Sequence, residues 1–177
     1  MMGQNVEQKN VEQNLESRLA GLRQKIKRNG IDLGYAMELD ELGEEADKAK
    51  YFLLGARCKR LAGMLYVRLG AEWDAQWSFE KGANLARLGG DRVQKALLKE
   101  KVAEIRIKLV DNCRPTTIVD AAYSCIYAGE SYLDIMNLTR GFYFIHKGLK
   151  YFDMNGDVPR TSQICRILKR YWSMLEE

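Results

Sequence analysis

One histidine in 177 residues leaves His146 as the single imidazole that could transfer protons or hold a metal. With no second histidine, a di-metal bundle built on paired Glu-x-x-His motifs is excluded. His146 follows Phe144 and Ile145 and precedes Lys147 in a helical stretch, a setting that argues against nucleophile–His–Asp catalysis. The four cysteines, at 58, 113, 125 and 165, form no C-x-x-C pair, so a zinc ligand set is missing. Cys58 and Cys125 fall on apolar helical faces and read as small buried hydrophobes, and unpaired thiols suit a reducing compartment. Only two prolines and few β-branched runs point to a mostly helical chain. No stretch of 18 apolar residues occurs and Met1 to Glu16 is polar, so neither a membrane span nor a secretory leader is expected. The cytoplasm is the expected location. No Gly-x-Gly-x-x-Gly or P-loop is present. The segment from Asp153 to Asp157 has its glycine too early for a calcium loop and Ile164 where the twelfth-position Glu would stand, so it reads as a turn. Asn137-Leu138-Thr139 fits the glycosylation tripeptide, but is read as a chance match within a helix. No catalytic residue, metal or cofactor is expected.

What is present is ordinary for a globular domain: 46% hydrophobic, 29% charged, and a net charge of +4 that suggests no polybasic tail. Residues 5–28 form an amphipathic helix in which Val11, Leu15, Leu19, Leu22 and Ile26 recur at helical spacing, with Arg18, Arg23, Lys25, Lys27 and Arg28 loading its second half. Residues 32–47 carry seven acids and no base. The pattern predicts a short helix near 34–42, a break at Gly43, and a new helix from about 45 to 69. Further helices are predicted at 71–88, 91–111, 115–136 and 138–153, and a last one from Pro159. Met136 is placed on the apolar face of the sixth. Glycines and Pro115 supply the boundaries. Residues 1–44 are thus read as an amphipathic helix and an acidic connector, and 45–177 as the main domain.

The main domain repeats itself with an offset of 66 residues. Ala56 matches Ala122, Ala62-Gly63 matches Ala128-Gly129, and Tyr66 matches Tyr132. Lys81-Gly82 matches Lys147-Gly148, and Gly90-Asp91 matches Gly156-Asp157. The matches fall on small residues, an aromatic and a turn, the positions that let helices approach closely and the chain reverse. Two copies, 45–111 and 115–176, are expected, each a close-packed hairpin plus a following helix.

Residues 56–88 resemble a tetratricopeptide repeat. Ala62-Gly63 stands at the family's Leu-Gly pair, Tyr66 at its aromatic and Gly70 at its hairpin turn. Ala75, Phe79 and Gly82 fill the small, aromatic and small positions of the second helix. Ala128-Gly129, Tyr132, Gly141, Ile145 and Gly148 repeat the pattern more loosely. Lys59 replaces the family's tryptophan, and Arg87 its terminal proline. The resemblance implies an all-α stack of seven or eight antiparallel helices and a non-catalytic adaptor or scaffold. Its first helices would line a groove for a peptide segment or partner subunit. Carried over, the groove residues are Arg57, Arg60, Met64, Val67 and Arg68 in the first copy. In the second they are Tyr123, Ile126, Glu130, Leu133 and Asp134.

Two other readings compete. Helix 91–111 carries Arg92, Lys95, Lys99, Lys101, Arg106 and Lys108. Residues 158–175 add Arg160, Arg166, Lys169 and Arg170 beside Tyr171 and Trp172, a basic and aromatic mixture suited to nucleic acid. Alternatively, Trp73, Trp77 and Trp172 supply apolar area for a homodimer.

Overall fold

The computed structural model describes residues 2–111, 117–156 and 158–173. Eight helices account for nearly all of them: α1 (Met2–Asn29), α2 (Leu33–Lys48), α3 (Phe52–Arg68), α4 (Glu72–Leu88), α5 (Arg92–Asp111), α6 (Thr117–Leu133), α7 (Leu138–Met154) and α8 (Val158–Ser173). Among the described residues there is no strand, and the all-α class expected from the composition holds. No helix among them is long and apolar enough to cross a membrane. The chain divides into two compact units, Met1–Asp91 and Arg92–Glu177. Arg114-Pro115, Cys113, Asp157 and Leu175 lie outside the described residues, as do the side chains of Arg160, Ile167 and Arg170.

In the first unit one turn is used over and over. Gly30, Lys50, Gly70 and Gly90 all have positive φ (85°, 65°, 75° and 79°), and each is 20 residues from the next. After α2, α3 and α4 the turn closes with the same pair of hydrogen bonds. The left-handed residue's N–H reaches back three residues (Lys50 to Asp47, Gly70 to Val67, Gly90 to Arg87). The following N–H reaches back five (Tyr51 to Ala46, Ala71 to Tyr66, Asp91 to Ala86). These are Schellman caps, which satisfy the last carbonyls of one helix and reverse the chain at once. The residue that ends the cap then begins the next helix: Tyr51 O accepts from Gly55 N, and Ala71 O from Ala75 N. A hairpin therefore spans 40 residues from Gly30 to Gly70, longer than the roughly 34 of a tetratricopeptide repeat.

The second unit uses the same turn at Met136 and Gly156 (φ 59° and 73°), which are Gly70 and Gly90 shifted by 66. Shifting the bounds of α4 by 66 gives 138 and 154, the bounds of α7. α3 shifted likewise falls within one residue of α6. The offset read from the sequence is thus an offset between helical hairpins.

The predicted boundaries near residue 45 are corrected. Gly43 does not break a helix; α2 runs through it and ends at Lys48, and the turn falls at Ala49-Lys50-Tyr51. Lys50 takes a left-handed conformation that non-glycine residues seldom adopt, so no glycine announces the turn. The same substitution hides the α6–α7 turn. Met136, expected on the apolar face of a helix, is the left-handed turn residue and is exposed. Asn137 is the N-cap of α7, its side chain accepting from Arg140 N, and is not mid-helix.

Small residues on the inner faces bring the helices together. A Cβ added to Gly63 would stand 2.6 Å from Phe79 Cε1, so the α4 ring lies directly on the α3 backbone. Gly129 and Gly141 do the same for α6 and α7, where a Cβ on Gly129 would meet Gly141 O at 2.9 Å. Around the first contact, Ala56, Leu85 and Ala86 form a core with Phe52. In the second unit Ala122, Ile126, Leu133, Ile145, Phe152 and Ile164 do so.

Candidate interaction surface

α3 contains no acidic residue; its charges are Arg57, Lys59, Arg60 and Arg68. Packing between α2 and α4 divides these sharply. The inward face is Leu54, Gly55, Ala56, Cys58, Lys59, Ala62, Gly63, Leu65 and Tyr66. The outward face carries Leu53, Arg57, Met64, Val67 and Arg68 exposed and Arg60 half-buried. Leu53, Met64 and Val67 are 41%, 44% and 45% exposed, a high fraction for apolar side chains on a packed helix. All five first-copy residues expected at the groove therefore share one stripe. Leu53 belongs to it and was missed, although the spacing 53, 57, 60, 64, 67 follows one helix face.

Lys59 stands where the resembled family has a tryptophan, and its side chain is 1% exposed. Its stem lies along Gly43 of α2, with Cγ and Cε each 3.1 Å from where a Cβ would be. Its ammonium lies 2.9 Å from Asp40 Oδ2 and 2.6 Å from Glu44 Oε1. Ser78 of α4 donates to Asp40 Oδ1 at 2.7 Å. The lysine thus ties three helices together, and its pairing with Glu44 holds that carboxyl below its usual range. A further acid, Glu45, is engaged by Arg18 of α1 in a two-pronged ion pair. Three of the seven acids of the run at 32–47 are thus matched by bases inside the unit. Among the described residues no carboxylate pairs with Arg57, Arg60 or Arg68. Arg60 Nε is buried without a hydrogen-bond partner.

Beside the stripe, Cys58 is buried and free, its thiol pushed up to about 11 by burial. The nearby cations Lys59, Arg23, Arg18 and Arg57 pull the other way without offsetting it. An open cleft of about 370 Å³ lies at the Leu53–Arg57 end of the stripe, with Glu12, Glu16, Lys50 and Tyr51 also in its wall. On α4, Trp73 and Trp77 are exposed one turn apart, with the Lys81 ammonium 5.6 Å from the centroid of Trp77.

The second-copy residues do not form an equivalent surface. Ile126 and Leu133 are 5% and 1% exposed and belong to the core, because Gly148 and Gly141 of α7 let that helix close over them. Tyr123 is half-buried, edge-on to Phe152 at 5.1 Å and stacked on Tyr127 at 6.1 Å. Glu130 is half-buried, and burial raises its carboxyl above the usual range, with Asp134 adding to the effect. Asp134 is exposed but pairs with Lys95 at 3.2 Å and accepts from Tyr171 at 3.4 Å. Its neighbours and α8, through Ile164, Leu168 and Tyr171, cover what α3 leaves open.

The basic residues of α5 are mostly engaged within their own unit. Lys95 pairs with Asp134 and Lys101 with Glu104 at 2.6 Å. Arg106 donates to Ser124 Oγ at 2.6 Å, and Lys99 sits 5.9 Å from the Tyr127 centroid. On α8, Arg166, Lys169 and Trp172 are exposed, whereas Tyr171 packs on the core. A buried network not foreseen from the sequence joins Glu100, Tyr132 and Arg140. The Tyr132 hydroxyl donates to Glu100 and accepts from Arg140 at 3.2 Å. His146 is exposed, and among the described residues no three His, Cys, Asp or Glu side chains converge as metal ligands.

No protein-family model matches the chain, and no curated protein matches it.

Proposed function

We propose that the protein is a non-catalytic helical-repeat module, similar in plan to a tetratricopeptide array, that holds a peptide segment or partner subunit on the exposed face of α3. The observation that supports this most is the stripe itself: three exposed apolar side chains on one face with three arginines that have no carboxylate partner among the described residues. Elsewhere in the first unit, charged side chains such as Lys59 and Arg18 are matched by acids. A cytoplasmic adaptor or scaffold role follows from this reading. The working face is Arg57, Arg60, Met64, Val67 and Arg68 with Leu53; Tyr123, Ile126, Glu130, Leu133 and Asp134 are dropped from it.

The test is charge reversal at Arg57 and Arg60 to glutamate. Partner capture should be lost while the far-UV circular dichroism and melting curve stay those of the parent. Capture that survives the double reversal refutes α3 as the surface. Nucleic-acid binding is the weaker reading, because at least five of the six basic residues of α5, Lys95, Lys99, Lys101, Arg106 and Lys108, have intramolecular partners. Salt-dependent retention on a phosphate matrix would restore it. The exposed Trp73–Trp77 pair favours self-association as a second property, and light scattering across a concentration series decides that.

A further inference from the structure

We infer that the occupant of the α3 face is an acidic amphipathic helix, laid along α3 with its apolar side chains between the arginines. This deepens the reading that α3 is the partner surface, and rests on it. The stripe from Leu53 to Val67 climbs one side of the helix in steps of four and three. At 1.5 Å per residue it is roughly 21 Å long, close to four helical turns. A partner that meets Leu53, Met64 and Val67 at matching intervals must itself repeat every three to four residues, which is the geometry of helix against helix. An extended strand would find no backbone donors or acceptors on a helix face. Beyond the cleft at its Leu53 end, the stripe offers a nucleic-acid strand no ring to stack on, because the one aromatic of the second half of α3, Tyr66, points inward.

Charge sets the partner's sign. Three acids of α2, Asp40, Glu44 and Glu45, are engaged by Lys59 and Arg18. Arg57, Arg60 and Arg68 form a row to which no carboxylate is paired among the described residues, with Glu12 and Glu16 sharing only the cleft wall at its Arg57 end. Carboxylates flanking the partner's apolar stripe would fall against these guanidiniums and form charge-assisted pairs.

The probe is a fluorescein-labelled, alanine-based helix of roughly 18 residues, with leucines at three–four spacing and glutamates on both flanks. Its binding to the full chain is read by anisotropy. Companion probes replace every glutamate by glutamine or by lysine, and a fluorescent single-stranded oligonucleotide of equal charge serves as the other polyanion. The acidic probe should bind saturably and more tightly than the other three. Arg57→Gln with Arg60→Gln should weaken it about tenfold, as should raising salt well above physiological strength. Met64→Ser with Val67→Ser, two solvent-facing changes, should weaken the acidic and glutamine probes alike.

If the glutamine probe binds as well as the acidic one and the arginine pair is indifferent, while the Met64 and Val67 changes still matter, the acidic class falls and the surface stands. When neither pair of substitutions alters any binding, or no helix binds at all, both fall. Preference for the oligonucleotide, lost with the arginine pair, overturns the inference in favour of nucleic acid.

Discussion

Replacing Lys59 separates packing from charge in the first unit. Lys59→Ala deletes three methylenes from a fully buried stem. At about 0.8 kcal/mol each that is roughly 2.4 kcal/mol, to which the void against Gly43 and the lost pairing add. Breaking a buried ion pair by removing one partner costs about 3–5 kcal/mol when the other charge stays buried. Here the surviving carboxylates are 24% and 39% exposed and can rehydrate, so the charge contribution is well below that range. The expected loss for Lys59→Ala is therefore about 3–4 kcal/mol. Lys59→Met keeps the stem on Gly43, removes the ammonium and lets both acids turn to water; it should cost about 0–1.5 kcal/mol. Denaturant unfolding followed by far-UV circular dichroism gives both values. Equal losses for the methionine and alanine variants would show that the ion pair, and not the stem, holds the three helices. A negligible loss for alanine would refute the burial argument altogether.

Acid should undo the same site. Glu44 is held below its usual pKa chiefly by its contact with Lys59, so its contribution is present above about pH 4.5 and lost as pH falls through the lowered native value. Stability measured against pH should drop there in the parent, and the drop should shrink in Lys59→Met. Gly63→Ala should destabilise by about 1–3 kcal/mol because the new methyl meets the Phe79 ring, and Phe79→Leu should recover much of that in the double variant. Tyr132→Phe should cost about 1–3 kcal/mol by stripping buried Glu100 of its donor, read by thermal melting; a loss no larger than that of an exposed Tyr143→Phe would refute the network. In a Cys113→Ser background at neutral pH, a thiol reagent should modify exposed Cys165 rapidly and leave Cys58 and Cys125 untouched. Burial pushes both of those thiols up to about 11, and fast labelling of either would show that its helix opens.

Much of this molecule is legible without coordinates. Few prolines, leucine stripes and small residues in register dictate helices that pack closely, because a residue without a bulky side chain lets backbones approach as Gly129 and Gly141 do. The offset of 66 was visible because small residues recur at 56/122, 63/129 and 82/148 and a Gly-Asp turn at 90/156. The underlying 20-residue step was not, because Lys50 and Met136 fill the same backbone conformation with residues that carry no turn signal. The stripe on α3 could be read from spacing, but spacing is blind to which side of a helix meets a neighbour. The same pattern on α6 is core, since Gly141 and Gly148 bring α7 across Ile126 and Leu133. Nor could residue type say that Lys59 would be buried and Arg57 left open. That was decided by where α2 offers a groove at Gly43 and two carboxylates at its end, a matter of three helices meeting and not of any one of them.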